Sequence, residues 1–208
     1  AEETNELASL IDKGEQKKFS EKINSRLKNF FLPLEIYGGV AGNKYCICLG
    51  ANSYSYQGLR PVLKMLADTA NREDSPLSAA GWTVFPYFPK GIYKPSLRPD
   101  YFKKPPRIFF SEEAETGAAE IVFYEKDAES WSPKKTALRK KALYGYLCHY
   151  VGENVLLAGS ASIAVTEKFP ADKREVTAEE LAELIERRAE DIYEGEIPFP
   201  APLYLRAD

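Results

Sequence analysis

Leu34-Glu35-Ile36-Tyr37-Gly38-Gly39-Val40-Ala41-Gly42-Asn43-Lys44-Tyr45-Cys46-Ile47-Cys48-Leu49 is the stretch on which the fold turns. Its two ends, Leu34–Tyr37 and Tyr45–Leu49, are β-prone, and Gly38, Gly39 and Gly42-Asn43 supply turn residues between them. Two such runs separated by several turn residues predict a β-hairpin. Downstream, Leu59, Val62, Leu63, Leu66 and Ala70 form an apolar stripe opposite Arg60, Lys64, Asp68 and Arg72. That spacing predicts a helix over 59–72, with Pro61 suited to its first turn. Gly81-Trp82-Thr83-Val84-Phe85 then opens a strand that Pro86 and Pro89 confine to a sheet edge or lead out of the sheet.

Upstream of the hairpin, Leu7, Leu10 and Ile11 share a helical face that ends at Gly14. Phe19, Ile23, Leu27 and Phe30 recur at near-helical spacing over 16–30 until Pro33 stops them. Residues 89–106 carry Pro89, Pro95, Pro99, Pro105 and Pro106 among Tyr93, Tyr101 and Phe102, the composition of a non-regular connection. Beyond it the order of elements returns. Arg107–Phe110 and Ala119–Tyr124 predict a second hairpin, and a helix is expected over 134–151, with Leu138, Ala142, Leu147 and Val151 among its inner residues and Gly152 at its end. A strand follows through Ser162–Val165. Thr177-Ala178-Glu179-Glu180 is a capping box opening a helix over 177–193, with Leu181, Leu184, Ile185, Arg188 and Ile192 on one face.

The expected architecture is α+β: an antiparallel sheet backed by helices at 16–30, 59–72, 134–151 and 177–193. The chain reads as a single compact domain over 1–208, with strand-strand-helix-strand halves at 15–90 and 105–195 joined by the proline- and aromatic-rich connection. The halves share an order of elements but not matching residues.

Composition narrows the function. The 208 residues are 44% hydrophobic and 28% charged, which suits a globular chain rather than a disordered one. The longest apolar runs, such as Val155–Ala158, fall far short of the roughly 20 residues that a membrane-spanning helix needs. Twenty-eight Lys and Arg face 31 Asp and Glu, a net charge of −3 that creates no general attraction for nucleic acid. The three cysteines follow no disulfide-framework spacing and read as reduced, buried thiols of a cytoplasmic protein. The chain opens at Ala1 without Met or an apolar signal region, a start that processing, trimming or excision from a longer chain would each explain and that leaves export open.

His149 is the only histidine, so any histidine-dependent catalytic set must use this one ring. Cys46 and Cys48 share a strand face and, with Cys148 and His149, have a zinc-like composition. Adjacent helical residues diverge by about 100°, however, so Cys148 and His149 are poorly placed to share one ion, and buried thiols are the better reading. Gly38–Lys44 resembles half a phosphate loop, but Lys44 opens a strand where a phosphate cradle needs a helix. No cofactor or metal is expected. Acidic residues at Glu112-Glu113, Glu115 and Asp127–Glu129 fall in predicted turns; those at Glu179, Glu180, Glu183 and Glu186 fall on a helix's solvent face.

Two features suit contact with another protein. Lys134, Lys135, Arg139, Lys140 and Lys141 put five cations into eight residues at a helix start, where they oppose the helix dipole. Such a run also suits a solvated helix face. Tyr54, Tyr56, Tyr93, Tyr101 and Phe102 fall in predicted loops or at helix edges, where aromatic side chains offer large, rigid contact area; some would simply cap the core.

Gly81-Trp82-Thr83-Val84-Phe85-Pro86-Tyr87-Phe88 and Ala142-Leu143-Tyr144-Gly145-Tyr146-Leu147-Cys148-His149-Tyr150-Val151-Gly152-Glu153 together resemble a loosely defined set of uncharacterised bacterial α+β proteins. In these a helix leads into an aromatic tryptophan strand and a later helix ends in Gly-Glu. Some lie near polymorphic toxin genes and are thought to act as immunity proteins. The resemblance spans about 33–166 and brings no catalytic residue. It implies an immunity-like role, consistent with the reading of the residues: a non-catalytic module that binds another protein. The alternative is a hydrolase or transferase using carboxylates assembled by the fold, and nucleic-acid binding through 134–141 is the weakest reading.

Overall fold

The computed structural model describes residues 2–26, 34–51, 59–92, 104–112, 119–160 and 162–197, and has the expected α+β architecture. The chain divides into two compact units, 1–93 and 94–208.

The first unit opens with helices α1 (Glu2–Asp12) and α2 (Gln16–Arg26), then strands β1 (Leu34–Ala41) and β2 (Lys44–Ala51). Helix α3 (Arg60–Ala70), the short α4 (Pro76–Ala79) and β3 (Thr83–Phe85) complete it. β1 and β2 are antiparallel about a two-residue turn, Gly42-Asn43, across which Ala41 pairs with Lys44. Gly42 has φ +59°, the left-handed conformation this tight turn demands.

Gly38 and Gly39, expected in the turn, lie inside β1 instead. The reason is close approach. A Cβ on Gly38 would come within 2.8 Å of Ile11 and Phe19, and one on Gly39 within 2.6 Å of Ile92. Glycine is required here by what presses on the strand from either face.

Alternation along β2 sorts its side chains. Ile47 and Leu49 join Leu7, Phe19, Ile36, Leu63, Ala67, Trp82 and Val84 in the core beneath the helices. Cys46 and Cys48 take the opposite face, where both are fully buried. Arg60, expected on the solvent side of α3, is also buried, at 3% exposure.

β3 pairs parallel to β2, with Ile47 opposite Val84, which corrects the expectation of an antiparallel sheet. A helical connection separates the two strands, and such a crossover returns the chain in the same direction where a tight turn would reverse it. Among the described residues the sheet order β1-β2-β3 leaves two edges, and a carboxamide side chain pairs with one residue on each. On β1, Gln16 donates to the Gly38 carbonyl at 2.5 Å and accepts from the Gly38 amide at 3.0 Å. On β3, Asn71 donates to the Val84 carbonyl at 2.7 Å and accepts from the Val84 amide at 2.8 Å. Each side chain supplies the donor and acceptor that a neighbouring strand would provide.

The second unit contains β4 (Arg107–Glu112), β5 (Ala119–Tyr124), a 3-10 turn at Ala128–Ser130, α5 (Pro133–Val151), α6 (Glu153–Gly159), β6 (Ser162–Thr166), β7 (Arg174–Val176) and α7 (Ala178–Ile192). Its sheet runs β6-β5-β4-β7 and is also mixed: β4 is antiparallel to β5 and β7, while β6 is parallel to β5. Ile108, Ile121 and Phe123 of the sheet are buried, as are Leu143, Leu147, Leu156, Leu181 and Ile185 of the helices. The Thr177–Glu180 capping box forms reciprocally, as its sequence predicts.

α6 and β7 were absent from the sequence expectation. Gly152, at φ 85°, ends α5 and at once starts α6. α6 packs against α7 so closely that a Cβ on Gly159 would come within 2.6 Å of the Ile185 carbonyl oxygen. Leu138, expected among the inner residues of α5, is exposed.

Truncating either edge side chain strands two backbone groups of a part-buried strand. Gln16→Ala and Asn71→Ala should therefore each lower unfolding stability by about 1–3 kcal/mol in urea titrations. Unchanged midpoints in both variants would show that water serves these edges equally well.

Candidate functional site

Three segments of the second unit build a cleft of about 730 Å³. Lys104, Pro105, Pro106 and Arg107 enter along the approach to β4. Tyr124 and Glu125 come from the end of β5, and Trp131, Ser132, Lys134, Lys135, Leu138 and Arg139 from the start of α5.

The α5 start is locally determined. The Ser132 hydroxyl accepts from the Lys135 amide at 3.3 Å, and Pro133 occupies the first turn, where its missing N–H costs nothing. Helical spacing then stacks Leu138 one turn beyond Lys134 and Arg139 one turn beyond Lys135, all four lining the cleft. Lys140 and Lys141 are exposed on α5 but do not line it.

The cleft's charges fall into two groups. Arg139 donates through Nε to Glu125 Oε1 at 2.7 Å, with both side chains largely buried. Arg107 grips Glu175 through two bonds of 2.7 and 2.8 Å. Its guanidinium also lies 5.2–5.4 Å from the ring centres of Phe109, Tyr124 and Phe169. Those two cations are thereby balanced and fixed in place.

Lys104, Lys134 and Lys135 are not: none has a carboxylate partner among the described residues. The Lys135 ammonium instead sits 4.8 Å from the centre of the Trp131 ring. The result is a set of uncompensated ammonium groups around Trp131, Leu138 and two prolines. Such a surface can attract and seat an anionic group that carries apolar bulk.

Glu125 is the cleft's one carboxylate, and Arg139 holds it, so the paired acids of the hydrolase alternative do not converge here. A second acid pair, Glu129 with Glu167, is solvent-exposed on the 3-10 turn and beyond β6. The hydrogen bond with Glu167, and then its charge, hold the Glu129 carboxyl above its ordinary range.

His149 is half-buried with its ring centre 5.0 Å from that of Tyr150, and Cys148 is fully buried beside it. Burial, followed by the hydrogen bond with Tyr150, pushes the Tyr146 hydroxyl well above its usual range. In the first unit a hydrogen bond with Cys48 holds the Cys46 thiol below its usual range. Among the described residues, no group of three or more His, Cys, Asp or Glu is placed to hold a metal ion.

Of the residues singled out in the sequence, Lys134, Lys135 and Arg139 meet in the cleft. Tyr54, Tyr56, Tyr93, Tyr101 and Phe102 lie outside the described residues. Sequence reading missed Lys104, Arg107, Tyr124, Glu125 and Trp131 as members of the same site. Only Trp131-Ser132-Pro133 gave a local signal, an aromatic residue leading into a helix cap directly before two lysines. No helix among the described residues is long and apolar enough to cross a membrane. No protein-family model, curated protein or solved structure matches the chain.

The Arg107–Glu175 pair at the cleft wall has a pH signature. The hydrogen bond from Arg107 holds the Glu175 carboxyl below its usual range. Between the folded and unfolded values the unfolded chain binds more protons, so this contribution is present above the ordinary carboxylate range. It fades as pH falls through the lowered folded value. The stability advantage of the natural chain over Glu175→Gln should accordingly be present at neutral pH and shrink on acidification, measured as urea midpoints across the carboxylate range. An advantage that grows on acidification would contradict this assignment.

Proposed function

We propose that the chain is a non-catalytic interaction module that binds another protein, neutralising or positioning it, and that the α5 cleft is its contact surface. One observation carries the reading: Lys104, Lys134 and Lys135 surround the cleft without carboxylate partners among the described residues, beside the apolar surface of Trp131 and Leu138. A folded chain gains nothing by gathering like charges, so their convergence suits a complementary surface brought by a partner. The resemblance of the Trp82 and Gly152-Glu153 stretches to immunity-like bacterial proteins points the same way. Cytoplasmic residence belongs to this reading, since Cys46, Cys48 and Cys148 are buried free thiols.

The direct test is site-specific photo-crosslinking in the native host. A benzophenone side chain in place of Leu138 should trap one discrete protein. The same group in place of Met65, exposed on α3 of the other unit, should not. Equal labelling from both positions, or none from Leu138, would remove the cleft as the contact surface.

A further inference from the structure

We infer that the occupant of the α5 cleft is a short, extended protein segment whose carboxylates flank an apolar side chain. This deepens the interaction reading and rests on it. Lys134 and Lys135 stand at the start of α5 and Lys104 on the approach to β4, so the uncompensated ammonium groups come from two separate segments. The same cleft also presents apolar and aromatic surface from Pro105, Pro106, Tyr124, Trp131 and Leu138, beside the Arg139–Glu125 pair. Carboxylates seated on the lysines would leave an intervening side chain against this apolar surface, where its burial adds to the charge attraction.

Size and charge choose among occupants. The cleft, about 730 Å³ and open to solvent, has room for a few residues of chain laid across it. Nucleic acid would present a repeating run of phosphates and profit from a longer basic track. Here Glu125 lies inside the cleft, Glu175 beside Arg107, and the chain as a whole carries a net charge of −3. Arg139 and Arg107 already hold Glu125 and Glu175, so they contribute shape, while Lys104, Lys134 and Lys135 contribute the attraction.

The test uses the full chain and a fluorescein-labelled short peptide of glutamates around one central leucine, read by anisotropy. Three comparison probes separate the terms: the same peptide with glutamines, the same with glycine for leucine, and duplex DNA of matched charge. The glutamate–leucine peptide should bind at least about tenfold more tightly than the glutamine version and several-fold more tightly than the glycine version. The double variant Lys134→Ala/Lys135→Ala should lose about tenfold, while Lys140→Ala/Lys141→Ala stays within about twofold. Misfolding does not confuse this comparison, because removing cations from the first turn of α5 relieves repulsion by the helix dipole; circular dichroism checks that the helix is retained.

Equal binding of the glutamine peptide, equal damage from the Lys140/Lys141 variant, or tighter binding of DNA would each overturn the inference. Should Leu138 crosslink a discrete protein while the glutamate peptide fails to bind, the interaction reading stands and this assignment of its partner falls. Failure of both removes both.

Discussion

The ion pair between Arg139 and Glu125 holds the second unit's cleft in shape. It joins the second turn of α5 to the end of β5, and both side chains are largely withdrawn from water, at 16% and 18% exposure. A pair so placed is expensive to break, because removing one partner leaves the other charged and poorly solvated. The buried face of α5, with Ala142, Leu143, Tyr146, Leu147 and Val151, sets its roll, and the pair ties the helix start to β5 while Lys134, Lys135 and Leu138 line the cleft. The pair also neutralises the one carboxylate among the cleft's lining residues. Arg107, also lining the cleft, is held by Glu175 in a more exposed pair and lies beside three aromatic rings.

Against this rigid background the uncompensated lysines stand out. α1 and α7 place charge at their starts as the dipole favours, with Glu2 and Glu3 and with Glu179 and Glu180, whereas α2 opens on Lys17 and Lys18, which pair with Glu21 and Glu15. α5 begins with Lys134 and Lys135, each a cost of about 0.3–1 kcal/mol for an exposed cation in a first turn. A partner's carboxylates would offset that cost, so a feature that weakens the isolated chain strengthens the complex. The first unit shows the contrasting strategy of satisfying its own polar groups: Gln16 and Asn71 each pair with the backbone of one edge-strand residue.

What the sequence made legible was local. The Thr177–Glu180 cap, the α5 stop at Gly152 and the hydrophobic stripe of α3 depend on residues a few positions apart, and each formed as read. What it concealed depends on distant neighbours. Gly38 and Gly39 look like turn residues until Ile11, Phe19 and Ile92 are seen against them. The parallel direction of β3 and β6 is set by helical crossovers and not by the strands' own residues. β7 is three residues long and begins Arg174-Glu175, with no apolar alternation to announce it. Of the site, the cation run was visible as a run. Its division into cleft-lining Lys134, Lys135 and Arg139 and outward Lys140 and Lys141 follows from the helix phase that the buried residues of α5 fix. Lys104 and Arg107 reach the same cleft through the path of β4, which no local pattern encodes.

The most direct measurement of the central claim uses the chain's two tryptophans as internal reporters. Trp131 lines the cleft, whereas Trp82 is buried in the first unit and stacked on Tyr45. In a proton–nitrogen NMR titration with the glutamate–leucine peptide, the Trp131 indole N–H signal should shift saturably while that of Trp82 stays fixed. A bound peptide that leaves the Trp131 signal in place, or moves Trp82 instead, would contradict the account.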